Sequence, residues 1–443
     1  MYWFYNICLV LYWLLLVPVL LYRLLFEEGF YDRLRQSAGV MPQPVLTSIE
    51  NCHGIWVHAA SVGEIVAASP IVRELKERLP EETVIVSVVT ATGHRMAERI
   101  IPEADAHIFF PVDLPIITER IVNIVKPKAI LLVETELWPN FLQVAEKNEI
   151  PVMMVNGRIS DRSMKRYRLI LGFTRRMLAQ IRWFCMQSHT DARYIEEMGA
   201  DPARVQVTGN TKYDQTYAEV TPAERDELRH EFGIGEAHPV IVAGSFHEGE
   251  YEILLASFGD VRRQYPDAKL ILAPRQIPEA AKVLQLVQKY GFVGARRTEY
   301  HAETDAPVSV LVLDTIGELG RIYSLADIVI VGGSFVKVGG HNILEPAAHG
   351  KPILVGPHMF NFKDIFALLH SEGACRMTSA ENLTRDLLRL LSEPQRLAQM
   401  GAAALRLVEE NQGATKRNVD AFCALAERDP LHWKGAERSE HRA

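Results

Sequence analysis

The sequence predicts an α/β protein with two doubly wound parallel-sheet domains, preceded by an apolar helix. Three observations lead there. Short apolar runs of strand length alternate with helical patterns from Gly54 to about Val207, and again from Val240 onward. Most of these runs are apolar throughout, as strands covered on both faces are. The chain's 443 residues also exceed one ordinary core, so two large domains are expected. The expected division is 1–25 for the apolar helix, 26–220 and 221–415 for the two domains, and 416–443 for a closing helix and tail.

Residues Met1 to Tyr22 carry no charge and are rich in Leu, Val, Tyr and Trp. At about 1.5 Å per residue they reach across a hydrocarbon core of about 30 Å. A signal peptide is the rival, but no basic n-region precedes the stretch and no small-x-small site follows closely. An uncleaved anchor is therefore expected, either spanning or lying in the interface. Arg23, Arg33 and Arg35 follow it and favour a cytoplasmic body.

In the first series the expected strands are Ile55–His58, Thr83–Val89, His107–Phe110, Ala129–Val133, Val152–Val155, Trp183–Met186 and Val205–Val207, with helical patterns such as Val62–Arg78 and Asp191–Met198. Thr221–His238 turns polar and charged and reads as a linker. In the second series Val240–Gly244, Leu270–Ala273, Val308–Leu313, Ile328–Val331 and Ile353–Val355 read as strands. Glu250–Tyr265, Pro278–Tyr290, Ile343–His349, Phe362–Glu372 and Glu381–Leu391 read as helices. Pro394 opens a helical tail to Arg428, and Lys434–Ala443 is polar and expected to fray. Two such domains, with ligand loops at their strand carboxyl ends, are expected to face each other across a cleft.

A net charge of −7 gives no global attraction to nucleic acid, and none is expected as a partner. The five cysteines are scattered and show neither Cys-x-x-Cys nor zinc spacing, which suggests a reducing compartment and no structural metal. No Asp-x-Asp occurs, so the carboxylate pair that commonly holds a divalent ion on a sugar nucleotide is missing.

Seven motifs sit where expected strands end. Gly332–Pro346 follows one strand with two glycine pairs. Asn342 is a plausible N-cap there, so a helix should start near Ile343 and present free N–H groups to a phosphate. Glu345, in its first turn, is placed for sugar hydroxyls; a plain glycine-rich connection is the bland alternative. In His58–Glu64, Ser61 reads as an N-cap that puts Glu64 in the first turn. It is either a capping box or a general base that takes a proton from an attacking hydroxyl. Glu134–Asn140 places carboxylates at the end of a buried strand, which is expensive without partners unless the loop is solvated. In Thr208–Lys212, Lys212 can steady developing negative charge, although a lone lysine is more often solvent-facing. Gly244–Glu250 repeats the strand, small-residue turn and helix plan, so its N–H groups are also placed for a phosphate. Arg275, after Pro274, can form paired bonds to phosphate or carboxylate. In Asp314–Leu319, Gly317 lets a flat base meet the backbone, or the stretch is a plain turn. Finally, Arg158–Arg182 holds eight basic residues against Asp161, interleaved with Tyr167, Leu169, Ile170, Leu171 and Phe173. It is either a solvated amphipathic helix or a face for anionic lipid head groups.

His58–Glu64, Glu134–Asn140, Gly244–Glu250, Gly332–Glu345 and Gly350–Asp364 together resemble the bacterial 3-deoxy-D-manno-octulosonic acid (Kdo) transferases of lipid A assembly, which have the GT-B fold of two Rossmann-like domains. The resemblance runs from the apolar helix to about Arg428. It implies inverting transfer of Kdo from CMP-Kdo to a phosphorylated lipid A precursor, with no metal or other cofactor, at the inner membrane with the body on its cytoplasmic face. By the same resemblance Glu64 matches the proton acceptor, and Glu134 and Lys212 match residues that support the transition state. Pro274 and Arg275; Ile316, Gly317 and Glu318; and Asn342, Ile343, Leu344 and Glu345 match the CMP-binding segments. The chain departs from the pattern at Arg33–Ser37, where the family has a glycine-flanked Glu-Arg segment. It also has Gln276 in place of a common histidine and Leu313 in place of a common glycine. The rival functions are a nucleotide-sugar epimerase of similar fold and a catalytically dead lipid or sugar-nucleotide binder.

Overall fold

The computed structural model describes residues 2–428 except Glu28, Leu169, Thr216, Ala218 and Ala237. Lys434–Ala443 therefore lies outside the described residues, as do Leu169 and the side chains of Asp161, Arg162, Lys165 and Arg168. The chain forms two compact units: Thr216–Glu410 is one, and the rest of the chain, which returns at Asn411, is the other.

The first unit holds a seven-stranded sheet, all of whose neighbours run parallel. Its strands are β1 (Ile55–His58), β2 (Val84–Val88), β3 (Ala106–Phe109), β4 (Ala129–Val133), β5 (Val152–Gly157), β6 (Trp183–Met186) and β7 (Val205–Val207), in the order β3-β2-β1-β4-β5-β6-β7. Every residue of β1, β2 and β4 is buried, as the unbroken apolar runs require. Alternation still sorts their side chains by face. Trp56, Ile85, Ile130 and Leu132 enter one core, while Ile55, Val57, Val84, Leu131 and Val133 enter the other. The helix Ala414–Arg428 adds Val419 and Phe422 to the second core, so the end of the described chain belongs to this unit.

The second unit repeats the plan with β8 (Val240–Phe246), β9 (Lys269–Pro274), β10 (Gly294–Arg296), β11 (Val310–Val312), β12 (Ile328–Val331), β13 (Ile353–Val355) and β14 (Cys375–Met377). Their order is β10-β11-β9-β8-β12-β13-β14, again parallel. The sequence reading lacks β10 and β14. Both are three-residue edge strands, and Gly294-Ala-Arg296 carries no apolar run to mark it. Each sheet reverses direction beside its first strand, between β1 and β4 and between β8 and β12. At such a switch point the flanking loops part to opposite faces and leave a crevice.

The expected linker is mostly a helix, Pro222–Glu231, closed by a full capping box between Thr221 and Glu224. The signals were in the sequence (Thr221 as cap, Pro222 at N1, Glu224 at N3), but a helix that buries little looks like a loop by composition. The helix expected from Ile343 begins one residue later, at Leu344, whose N–H donates to Asn342 Oδ1 at 3.0 Å.

Candidate active site

In the first unit three loops deliver Glu64, Glu134 and Lys212 to one place. Glu64 lies in the first turn of the helix Val62–Arg78, after β1. Its N–H donates to the capping Ser61 Oγ at 3.3 Å, and that hydroxyl donates back to Glu64 Oε1 at 2.6 Å. Oε2 accepts the N–H of Ala60 at 2.7 Å, not that of Ser61, so the capping box is left open. Both readings of this residue therefore meet in one structure: an N-cap, and a carboxyl fixed at a strand end.

The fold does not leave this carboxyl in open solvent. Glu64 is only 8% exposed. Burial, followed by the charge of Glu136, pushes its pKa up to about 8, and Glu134 adds to the rise; the bonds from Ser61 and Ala60 oppose it. Such a carboxyl holds its proton at neutral pH, and it is a strong base once ionised.

Glu134 follows β4 in the left-handed region, at φ +58°, a costly conformation for a side chain with a Cβ. That turn aims its carboxylate at Lys212, whose Nζ donates to Oε1 at 2.9 Å in a pair that is mostly out of solvent. The same ammonium runs past Gly63: a Cβ there would lie 3.9 Å from Nζ. The lysine thus sits beside the Glu64 turn, as a solvent-facing residue would not.

Several further groups hold this arrangement. Glu136 accepts from Trp138 Nε1 at 3.0 Å and lies 3.8 Å from Nε2 of His58, a fully buried ring stacked on Phe110. Asn156 Oδ1 accepts the N–H of Thr211, next to Lys212. Asn418 and Asp214 tie the same turn to the helix Ala414–Arg428. Asn418 Nδ2 donates to Thr208 Oγ1, and Asp214 accepts the N–H groups of Gly413 and Thr415. Chain separations near 200 residues hide such contacts from any local pattern.

In the second unit the expected donor segments follow β9, β11 and β12, which with β8 are four adjacent strands. Arg275 is exposed at the end of β9, its N–H bonded to Phe246 O. It lies near His341, which burial, then Arg275 and His247, pushes down to about 4. His247 Nε2 and His341 Nε2 are 2.7 Å apart and share one hydrogen bond between stacked rings. Asn342 Nδ2 donates to Glu345 Oε1 at 3.2 Å, and burial raises the Glu345 carboxyl against that bond. The side chains of Pro274, Ile343 and Leu344 are in the interior, so only their backbone is available to a ligand. Ile316 is exposed and Gly317 takes φ +90°. Glu318 accepts from Thr315 Oγ1 and lies 3.6 Å from Arg297.

The N–H groups directly after β12, ahead of the helix start at Leu344, are taken up within the fold, because the fully buried Glu250 fills their concavity. Its carboxylate accepts from Gly333 at 2.7 Å, Ser334 at 3.1 Å, Phe335 at 2.8 Å and, across the switch point, His247 at 2.9 Å. A negative side chain here does what an anion would do in an open loop. Gly333, at φ +67°, lets His341 pack where a Cβ would meet its ring at 2.9 Å; Gly340, at φ +77°, leaves room for Met359. Asn361 Nδ2 donates to Val338 O, so the conspicuous His358–Asn361 segment buttresses the glycine loop.

Residues 29–215 match the family described as 3-Deoxy-D-manno-octulosonic-acid transferase (kdotransferase). The 3-deoxy-D-manno-octulosonic acid transferase of Haemophilus influenzae is 34% identical over 378 residues, 85% of this chain and 88% of that one. The enzyme of the same name from Bordetella pertussis is also 34% identical, over 83% and 86% of the two chains. The solved structure of UDP-GlcNAc 2-epimerase from Neisseria meningitidis, bound to UDP-GlcNAc, aligns with a TM-score of 0.55 over 84% of this chain and 100% of that one. Its 15% identity makes this a likeness of fold alone, and the fold is GT-B. With a third of its residues shared along most of its length, the chain belongs to the 3-deoxy-D-manno-octulosonic-acid transferase family, glycosyltransferases that transfer Kdo.

Proposed function

We propose that the chain transfers Kdo from CMP-Kdo to a phosphorylated lipid A precursor, with inversion and without a metal ion. The convergence of Glu64, Glu134 and Lys212 at the switch point of the first sheet carries this reading. Ionised Glu64 takes the proton of the acceptor hydroxyl as its oxygen attacks the anomeric carbon of Kdo. The bond from that carbon to the phosphate oxygen breaks, and CMP leaves with the electron pair. Lys212 balances negative charge beside the reacting carbon. Glu134 holds the ammonium and sets a negative field next to a carbon that becomes positive.

In this reading the first unit serves the acceptor and the second the CMP-sugar. Arg275 meets the single phosphate, Asn342 and Glu345 meet hydroxyls, and the backbone of Ile316–Glu318 meets the base. A guanidinium in place of a metal ion agrees with a sequence that lacks Asp-x-Asp. Among the described residues, no three His, Cys, Asp or Glu side chains are grouped to hold a metal ion. A lipid acceptor gives a role to the helix Tyr2–Phe26, which is long and apolar enough to cross a membrane, with a mean hydropathy of 2.2 over an 18-residue window.

The test is turnover of CMP-Kdo and a defined lipid A precursor by the purified chain in excess chelator. Mass spectrometry should show the precursor gaining Kdo, and NMR of the product should show an anomeric configuration opposite to the donor's. Retention of configuration, or activity that needs an added divalent ion, contradicts the mechanism.

A further inference from the structure

The start of the helix Tyr2–Phe26 is bonded to the first unit, and a few residues past its exposed end the chain enters a second helix packed on the same unit. At its start, Tyr5 Oη donates to Asp113 Oδ2 at 2.9 Å, Asn140 Nδ2 donates to Asn6 Oδ1 at 2.7 Å, and Tyr2 Oη donates to Gln180 Oε1 at 3.2 Å. Asp113 is part of the body, 3% exposed, and also accepts the N–H groups of Asn140 and Phe141. The rings of Tyr2 and Tyr5 lie 5.1 and 6.1 Å from that of Phe173. Beyond its other end, Gly29 turns the chain into the helix Phe30–Ser37. This helix is pinned beside β3 by buried Phe30, by Gln36 Oε1 accepting from Phe109 N, and by Ser37 O accepting from Val112 N.

A helix of 25 residues is about 37 Å long. To cross a hydrocarbon core of about 30 Å it must put its ends on opposite sides of the bilayer. Here its start and the chain just past its end are on one body. Between them Tyr2, Tyr5, Leu9, Trp13, Leu16 and Leu20 are partly covered, at spacings of three and four that define a single face. The other face bares Trp3, Phe4, Leu11, Leu14 and Leu15 at 54–79% exposure. An uncovered apolar strip of this kind marks an interaction surface. The helix Leu171–Ala179, whose Phe173 receives Tyr2 and Tyr5, also carries exposed Arg175 and Arg176. Cations beside an apolar strip suit anionic head groups above acyl chains.

We infer that the helix Tyr2–Phe26 does not span the bilayer but lies along it, its bare face sunk into one leaflet and its two ends on the same side as the catalytic body. The inference rests on the reading that the chain works at a membrane, and not on the donor or on Glu64.

The test uses the full chain with a protease-cleavable tag before Met1 and another after Ala443, expressed in bacteria whose membranes are isolated as sealed vesicles. Protease added outside should remove both tags or neither, according to vesicle orientation. Spin labels at Phe4, Leu11 and Leu15, each introduced as a cysteine, should report one shallow depth. Tags cleaved from opposite sides, or label depth rising steadily along the helix, overturn the flat placement. A chain that stays in the soluble fraction, or that covers the strip by pairing with a second copy, overturns the choice of a lipid leaflet while leaving Kdo transfer in solution measurable.

Discussion

Glu64 owes its basicity to cost. A carboxylate that burial and two neighbouring carboxylates disfavour binds a proton more tightly than one in water, and its pKa of about 8 makes it a poised acceptor. The sign for activity follows directly. If Glu64 is the base, as proposed, it works ionised, so kcat/KM should climb with pH and level off above about 8. Removing the charge of Glu136 by Glu136→Gln lowers the Glu64 pKa, so the rising limb should move toward acid. A limb that stays in place in that variant contradicts the coupling. Stability runs the other way. The folded-state pKa lies above the unfolded one, so the folded chain holds an extra proton between the two values. Its contribution is fully present below the unfolded pKa and is lost as pH rises through about 8. The position of Glu64 was legible in the sequence because Ser61 and a strand end frame it. Its near burial was not, and neither was the charge of Glu136 beside it, since both come from loops distant in the chain.

At the scale of the element, Glu250 fixes the glycine loop. Four backbone N–H groups converge on one carboxylate with no exposed surface. Bonds to a charged acceptor are worth about 1.5–3 kcal/mol each, and a buried donor left unpaired costs about 1–3 kcal/mol. Glu250→Ala should therefore destabilise the second unit by several kcal/mol, on the order of the largest single-residue effects. Glu250→Gln, which keeps one acceptor oxygen, should fold and bind CMP more weakly because the loop that carries His341 and Asn342 is loosened. Calorimetric melting and CMP titration check both, and unchanged CMP affinity in the Gln variant counts against a positioning role. The sequence pointed to both glycine loops as ligand cradles, one on each side of the β8/β12 switch point. It did not reveal that one supplies the acid that fills the other, because residues 83 to 85 apart in the chain make those bonds.

At the scale of the whole molecule, a buried apolar strand announces itself more clearly than a short edge strand. β1, β4, β6, β12 and β13 have the bounds their largely apolar runs predict, since burial on both faces favours such runs; β7, a half-buried edge strand with Gln206 at its centre, was legible from its two valines. β10 and β14 escaped because three residues at a sheet edge need no such run. Pro222–Glu231 escaped for the related reason that it buries only Leu228. The proposed proton acceptor lies in one unit, and an exposed arginine with a polar glycine loop lies in the other. The proposed two-substrate transfer fits this division, which makes binding separable from chemistry. The decisive measurement is single-turnover transfer by Glu64→Gln beside its affinity for CMP. The account predicts CMP binding within about twofold of the parent chain and transfer slowed by about 10²–10⁴ across the pH range, as expected for loss of a general base. Transfer near the parent rate, or lost CMP binding, would contradict it.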